Sequence, residues 1–395
     1  MKSQGAVAPP PPDWRHDGLT RRQFVERTLG VGLAASAVGG LVAACGGEPA
    51  PTASPSPSFD TTLPKELNLY NWSDYMTRGI KEGFREKYGI EVVEDYFDDS
   101  ETLMAKVKAG VPGWDVVILS DFWLQFLARN TQADAGDECY LRPLHMDLIP
   151  NASNVLASLA SRSVDCAPNG QRYGVPYQWG ATGIAVRKDK VDGRITRWVQ
   201  LFPPQGNRFR GDILMLNEVR EAFAAALLKN GCSISTTDQA ELDAAKRDLI
   251  AQKPLVRAYD FVNMGHAIMR GVPLVHSWNG DCLKARRKLG GDTVAFVLPK
   301  EGFPAWTDNM CIPTTARSPY AAHLFIDYLC DPQVNAELSN FTGYSSPIAG
   351  AASYLDADIL ALTPTEKEMQ RAQFFENLGK FSRAYNDAWA EVKSA

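Results

Sequence analysis

Nine side chains of this sequence suit the binding of organic cations, and most of them follow segments that read as β-strands. Trp72, Asp74 and Tyr75 stand in Asn71-Trp72-Ser73-Asp74-Tyr75, just past the alternating run Glu66–Tyr70. Phe122 follows Ser120-Asp121 at the end of Trp114–Leu119, and Glu218 and Glu221 follow Asp212–Leu216. Trp278 closes Pro273–Trp278, and Trp306 and Asp308 share Trp306-Thr307-Asp308. In open α/β sheets a ligand lies beyond the carboxyl ends of the strands, so these positions converge if the strands share a sheet. Aromatic faces attract cations by about 0.5–2 kcal/mol each and also cover methylenes. A carboxylate adds charge-assisted hydrogen bonds worth roughly 1.5–3 kcal/mol. A flexible alkyl chain carrying ammonium groups fits such a box. Singly, each residue has a plainer use: tryptophans pack cores, a Glu in a first helical turn complements the dipole, and Asp74 or Asp308 can form turns.

Signatures of other chemistry are lacking. The sequence has no H-E-x-x-H, G-x-S-x-G, P-loop or dinucleotide glycine pattern. Its five histidines (His16, His145, His266, His276, His323) are scattered. Glu218 and Glu221 sit one helical turn apart, a spacing better suited to gripping an ammonium than to flanking a glycosidic bond. The expectation is a protein that is not an enzyme and uses no cofactor and no metal. An exported hydrolase, and a binder of another cationic or amino-acid-like solute, remain as alternatives. The net charge of −5 and the lack of a basic stripe argue against nucleic acid.

The elements that position these residues alternate. Glu66–Tyr70 and Ile90–Phe97 read as strands around a helix marked by Ile80, Phe84 and Tyr88 and closed by Gly89. A helix from Ser100 to Ala109, the strand Trp114–Leu119 and a helix Asp121–Arg129 follow. Tyr173–Val186 reads as a turn entering a short buried strand. Beyond it come the strand Asp212–Leu216, helices Glu218–Lys229 and Thr237–Gln252, strands Pro273–Trp278 and Thr293–Pro299, a short strand Met310–Pro313 and a helix Pro319–Leu329. This βαβα order predicts an α/β sheet covered on both faces.

Residues 1–44 are an address. Thr20-Arg21-Arg22-Gln23-Phe24-Val25 matches a twin-arginine export signal, and the 16-residue run Leu29–Ala44 falls short of the ~20 residues that span a bilayer. Leu41-Val42-Ala43-Ala44-Cys45 looks like a lipobox, making Cys45 the expected lipidation site, with a retained anchor helix as the alternative. Residues 45–64 are rich in Pro, Ser, Thr and Ala and read as a flexible tether. Both cases place the body outside the cytoplasm, lipid-anchored to the outer face of a bacterial cytoplasmic membrane if Cys45 is modified. Six cysteines follow without a C-x-x-C pair. Cys139 and Cys166, in polar loop-like sequence, are the preferred disulfide, and Cys232, Cys282, Cys311 and Cys330 are expected to be small buried residues.

Asn71–Tyr75, Pro176-Tyr177-Gln178-Trp179-Gly180-Ala181-Thr182, Trp278-Asn279-Gly280, Trp306-Thr307-Asp308 and Gly343-Tyr344 occur in the order and approximate spacing found in spermidine- and putrescine-binding proteins. From Leu67 onward the chain resembles these extracytoplasmic solute-binding proteins of ABC transporters. The resemblance implies a two-lobed periplasmic-binding-protein fold, type II-like, with a hinge and a central ligand cleft. It implies lobe 1 from 65–180 plus about 306–345, and lobe 2 from 181–305 plus about 346–395. It also implies a polyamine ligand (putrescine or spermidine), ABC permease subunits as partners and a monomer. By the same resemblance, Trp72, Asp74 and Tyr75 form a first aromatic–acid cluster, and Phe122 stands where a Tyr is usual. Glu218 and Glu221 match a pair of acids, Trp278 and Trp306 flank the alkyl chain, and Asp308 holds an amine. Phe374-Phe375-Glu376-Asn377 occupies a region where the family often has a Gln.

Overall fold

The computed structural model describes residues 60–97, 100–129, 140–164, 171–260 and 264–395. Cys45, Cys139 and Cys166, and with them the expected anchor and disulfide, lie outside the described residues, as does most of the expected tether.

Among the described residues, ten strands form one curled sheet: β1 (Glu66–Trp72), β2 (Glu91–Phe97), β3 (Val116–Ser120), β4 (Gly174–Arg187), β5 (Ile213–Leu216), β6 (Val256–Asp260), β7 (Leu274–Trp278), β8 (Val294–Val297), β9 (Phe303–Cys311) and β10 (Ala372–Phe374). Their order is β2-β1-β3-β9-β4-β7-β5-β6, with β10 beside β9 and β8 beside β4. Side chains on a strand alternate between faces, and both ends of the sheet exploit this. In the first half, Leu67, Leu69, Val116 and Ile118 enter one core, whereas Tyr70, Val117 and Leu119 enter another. In the second half, Ile213, Met215 and Leu274 enter one core, and Leu214, Leu216 and Val275 its opposite. Each half is thus a sheet buried on both faces, as expected for parallel strands covered by helices.

Two strands join the halves. Contrary to the expected turn and short strand, β4 is one continuous strand of 14 residues, buried throughout. Pro176 does not break it, because a register shift between Pro176 and Gln178 absorbs the missing N–H. Residues Gly174–Ala181 pair with β9, and Thr182–Val186 pair with β7. The strand expected at Met310–Pro313 is only the end of the nine-residue β9. A third crossing lies at Ser345, which exchanges backbone hydrogen bonds with Trp179 at 3.0 and 3.1 Å.

The crossing is pinned by a buried polar cluster. Gln178 bonds Ser339 and Thr342, and the Trp179 indole donates to the Ser346 carbonyl. Ser339 and Thr342 belong to the helix Pro332–Thr342, started by the Asp331 cap and ended at Gly343, whose φ of 85° suits only glycine well. That helix, β6 and the C-terminal helix Ser382–Ser394 have no counterpart among the expected elements. The last packs Tyr385, Trp389 and Val392 into the second half. Cys282, Cys311 and Cys330 are buried as expected, but Cys232 is half-exposed.

Candidate functional site

Antiparallel pairing of β3 with β9 places Asp308 opposite Ser120. Its carboxylate accepts a hydrogen bond from the Tyr75 hydroxyl (Oδ2, 2.8 Å) and another from Ser120 (Oδ1, 2.9 Å). Asp308 is therefore a mid-strand acid rather than a turn former. Burial pushes its carboxyl up to about 6, against the pull of those two bonds.

The second acid is built across β4 and β7. Their register sets Thr182 opposite Trp278. Both donate to Oε1 of Glu221, Thr182 from its hydroxyl (2.8 Å) and Trp278 from its indole nitrogen (3.1 Å). Oε2 of Glu221 is buried with no partner. Burial, reinforced by the Glu218 charge, pushes Glu221 up to about 8. Glu218 serves the helix Val219–Lys229: it is the N-cap, and its carboxylate accepts the Glu221 backbone N–H at 2.9 Å.

Tyr344 stands between these acids. Its ring meets Tyr75 and Trp306 edge-on, with centroids 5.7 and 4.9 Å apart. Burial and the charges of Asp281, Asp308 and Glu221 hold its hydroxyl well above the ordinary phenol range. Asp281, three residues beyond Trp278, is pushed up to about 6 by burial. Two glycines make room: a Cβ on Gly180 would overlap Trp306 and Asn279, and one on Gly280 would overlap Tyr344. Trp306 pairs with Gly180 across β4 and β9, and its indole nitrogen is buried without a partner.

The structure thus gathers Tyr75, Glu221, Trp278, Trp306 and Asp308. Trp72 lies to one side, its ring 4.3 Å from that of Phe97. Asp74 is not brought in: it is exposed on a turn with φ 57°, and its charge bears on Tyr96. Phe122 faces the second half of the molecule, 5.9 Å from Phe375. Ser120, Thr182, Asp281 and Tyr344 were not among the candidates. All but Asp281 stood in stretches singled out above, yet their roles depend on strand register. Among the described residues, no group of three or more His, Cys, Asp or Glu could hold a metal ion, and no helix is long and apolar enough to cross a membrane.

A family model described as bacterial extracellular solute-binding protein matches residues 80–363. The spermidine/putrescine-binding periplasmic protein of Escherichia coli is 30% identical over 334 residues, covering 83% of this chain and 91% of that one. The putrescine/cadaverine-binding protein of Pseudomonas aeruginosa is 29% identical over 345 residues, covering 84% and 94%. Among solved structures, the TpPotD lipoprotein of Treponema pallidum superposes with a TM-score of 0.73 at 26% identity, covering 83% of this chain and 99% of that one.

Proposed function

This chain belongs to the bacterial extracellular solute-binding proteins and has their two-lobed α/β periplasmic-binding-protein fold, and we propose that it captures a polyamine for an ABC importer. The observation that carries this reading is the pair of buried, hydrogen-bonded carboxylates, Asp308 and Glu221, on either side of an aromatic group formed by Tyr75, Trp278, Trp306 and Tyr344. Two buried acids without a cation are costly to ionise. An ammonium at each relieves that cost, and the rings cover the methylenes between them.

In this reading the protein performs no catalysis and hands its ligand to permease subunits, working as a monomer. Cys45 carries the lipid, and the tether lets the body reach the membrane partner. The lobes, 65–180 plus about 306–345 and 181–305 plus about 346–395, close about the crossings at Trp179–Thr182, Ala305–Thr307 and Ser345. Phe122 and Glu218 complete the rim of the cleft, whereas Trp72 and Asp74 stand outside it.

Isothermal titration calorimetry with putrescine, cadaverine, spermidine, choline and an amino acid tests the reading. At least one polyamine is expected to bind near micromolar, roughly −8 kcal/mol, after the costs of ordering and desolvation. Heat from choline or the amino acid and none from any polyamine would sink it.

A further inference from the structure

At the Phe122 end of the cleft, two guanidinium groups lie against consecutive phenyl rings. The guanidinium carbon of Arg162, from the helix Ala157–Val164 beside β4, sits 3.6 Å from the ring centroid of Phe374. Arg162 also bonds Asp121 at 3.1 Å. From the other half, the guanidinium carbon of Arg220 sits 4.9 Å from the ring centroid of Phe375 and 5.6 Å from that of Phe122. Its two terminal nitrogens donate to the Glu376 carbonyl (3.2 Å) and the Ser235 hydroxyl (3.1 Å). Phe122 and Phe375 meet edge to face across the two halves.

We propose that Arg162–Phe374 and Arg220–Phe375–Phe122 form an end wall of the cleft that restricts the ligand to a short diamine and rejects a triamine; the proposal rests on the polyamine reading above. Two features of the wall oppose a longer ligand. The first is steric, since Phe375 is 3% exposed and meets Phe122 edge to face, so the two rings occupy that end. The second is electrostatic. A third ammonium pushed past Phe122 would meet the buried guanidinium of Arg220 and the partly exposed one of Arg162, and like charges repel most where burial lowers the dielectric. Asp121 offers it no open carboxylate, being already held by Arg162 and by the Phe122 N–H. Arg220 has direct neighbours in the chain on the ligand side, Glu221 next to it and Glu218 two residues before. Burial lowers its pKa, and the charges of Glu218, Asp121 and Glu221 favour the charged form against that pull.

The test is calorimetry on the purified protein with putrescine, cadaverine and spermidine, repeated on Phe375→Ala and, because that ring is buried, on the less buried Phe374→Ala. Circular dichroism establishes that each variant is folded. The wild type is expected to bind putrescine or cadaverine at least tenfold more tightly than spermidine, and each folded variant to narrow that ratio at least fivefold. Spermidine binding the wild type as tightly as the diamines overturns the wall, and so does a ratio unmoved in a folded variant. If no polyamine binds the wild type, the polyamine reading falls and the wall with it, a result distinct from equal binding of both lengths.

Discussion

The Asp308 end and the Glu221 end of the site are built from the same parts and arranged differently. Asp308 has one donor on each oxygen, Tyr75 and Ser120, and no acid beside it in the chain. Glu221 has both donors on a single oxygen, a bare second oxygen, and Glu218 nearby. Burial is shared, so the difference lies in how the negative charge is supported. Burial raises both; the bonds from Tyr75 and Ser120 pull Asp308 back to about 6, whereas the Glu218 charge adds to burial and leaves Glu221 at about 8. At neutral pH the first end is mostly a ready-made anion and the second mostly a neutral acid that ionises when a cation arrives.

That contrast ranks the variants. Asp308→Asn is expected to do the most harm, about 3–5 kcal/mol, because it leaves an ammonium buried against a neutral partner. Glu221→Gln should cost less at pH 7, about 2–3 kcal/mol. Ionising a group that titrates near 8 already costs the wild type about 1.4 kcal/mol at that pH, and the variant is spared it. Calorimetry with the tightest-binding polyamine measures both, and an inverted order breaks the contrast. The same titration in buffers of different ionisation enthalpy sharpens it: the wild type should release roughly one proton at pH 7 on binding, and Glu221→Gln only a small fraction of one.

Trp278→Phe keeps the aromatic face and deletes the indole donor to Glu221, so its expected cost is about 1–2 kcal/mol. A loss as large as that of Asp308→Asn would show that the ring, not the bond, dominates. The smallest effect concerns the empty protein. Folded-state values near 6 and 8 lie above the ordinary carboxylate range of ~4, so the folded chain holds more protons than the unfolded one between ~4 and about 8. Stability is full below that window and falls as pH rises through it. Thermal melts should show this decline flattened by ligand and reduced in Glu221→Gln. A melting temperature that climbs from pH 5 to 8 without ligand contradicts the raised values.

Much of the framework was legible from local patterns. Leu67, Leu69 and Tyr70 alternate as a strand must, and Ile80, Phe84 and Tyr88 recur as a helix must, because backbone geometry alone sets both periods. In β4, Pro176 and Gly180 carry turn signals locally, while tertiary pairing with β9 and β7 holds them extended. Asp74 and Asp308 looked alike in sequence, each two residues after a tryptophan. One ends on an exposed turn and the other in the middle of a buried strand.

By itself the sequence determined the βαβα order, the acidic balance, and the aromatic and acidic residues available at the strand ends, since these depend only on residue type and near neighbours. Only the tertiary structure decided which of them meet. Thr182 reaches Glu221 through the register of β4 with β7, and Ser120 reaches Asp308 through that of β3 with β9. Tyr344, more than thirty residues past either tryptophan, fits between the acids because Gly280 clears the space for its ring. Arg162 and Phe374 are separated by over two hundred residues and touch because β10 pairs with β9, the neighbour of the β4 against which the Arg162 helix packs. Such contacts depend on strand register and on the approach of remote elements, and neither leaves a local trace in the order of the residues.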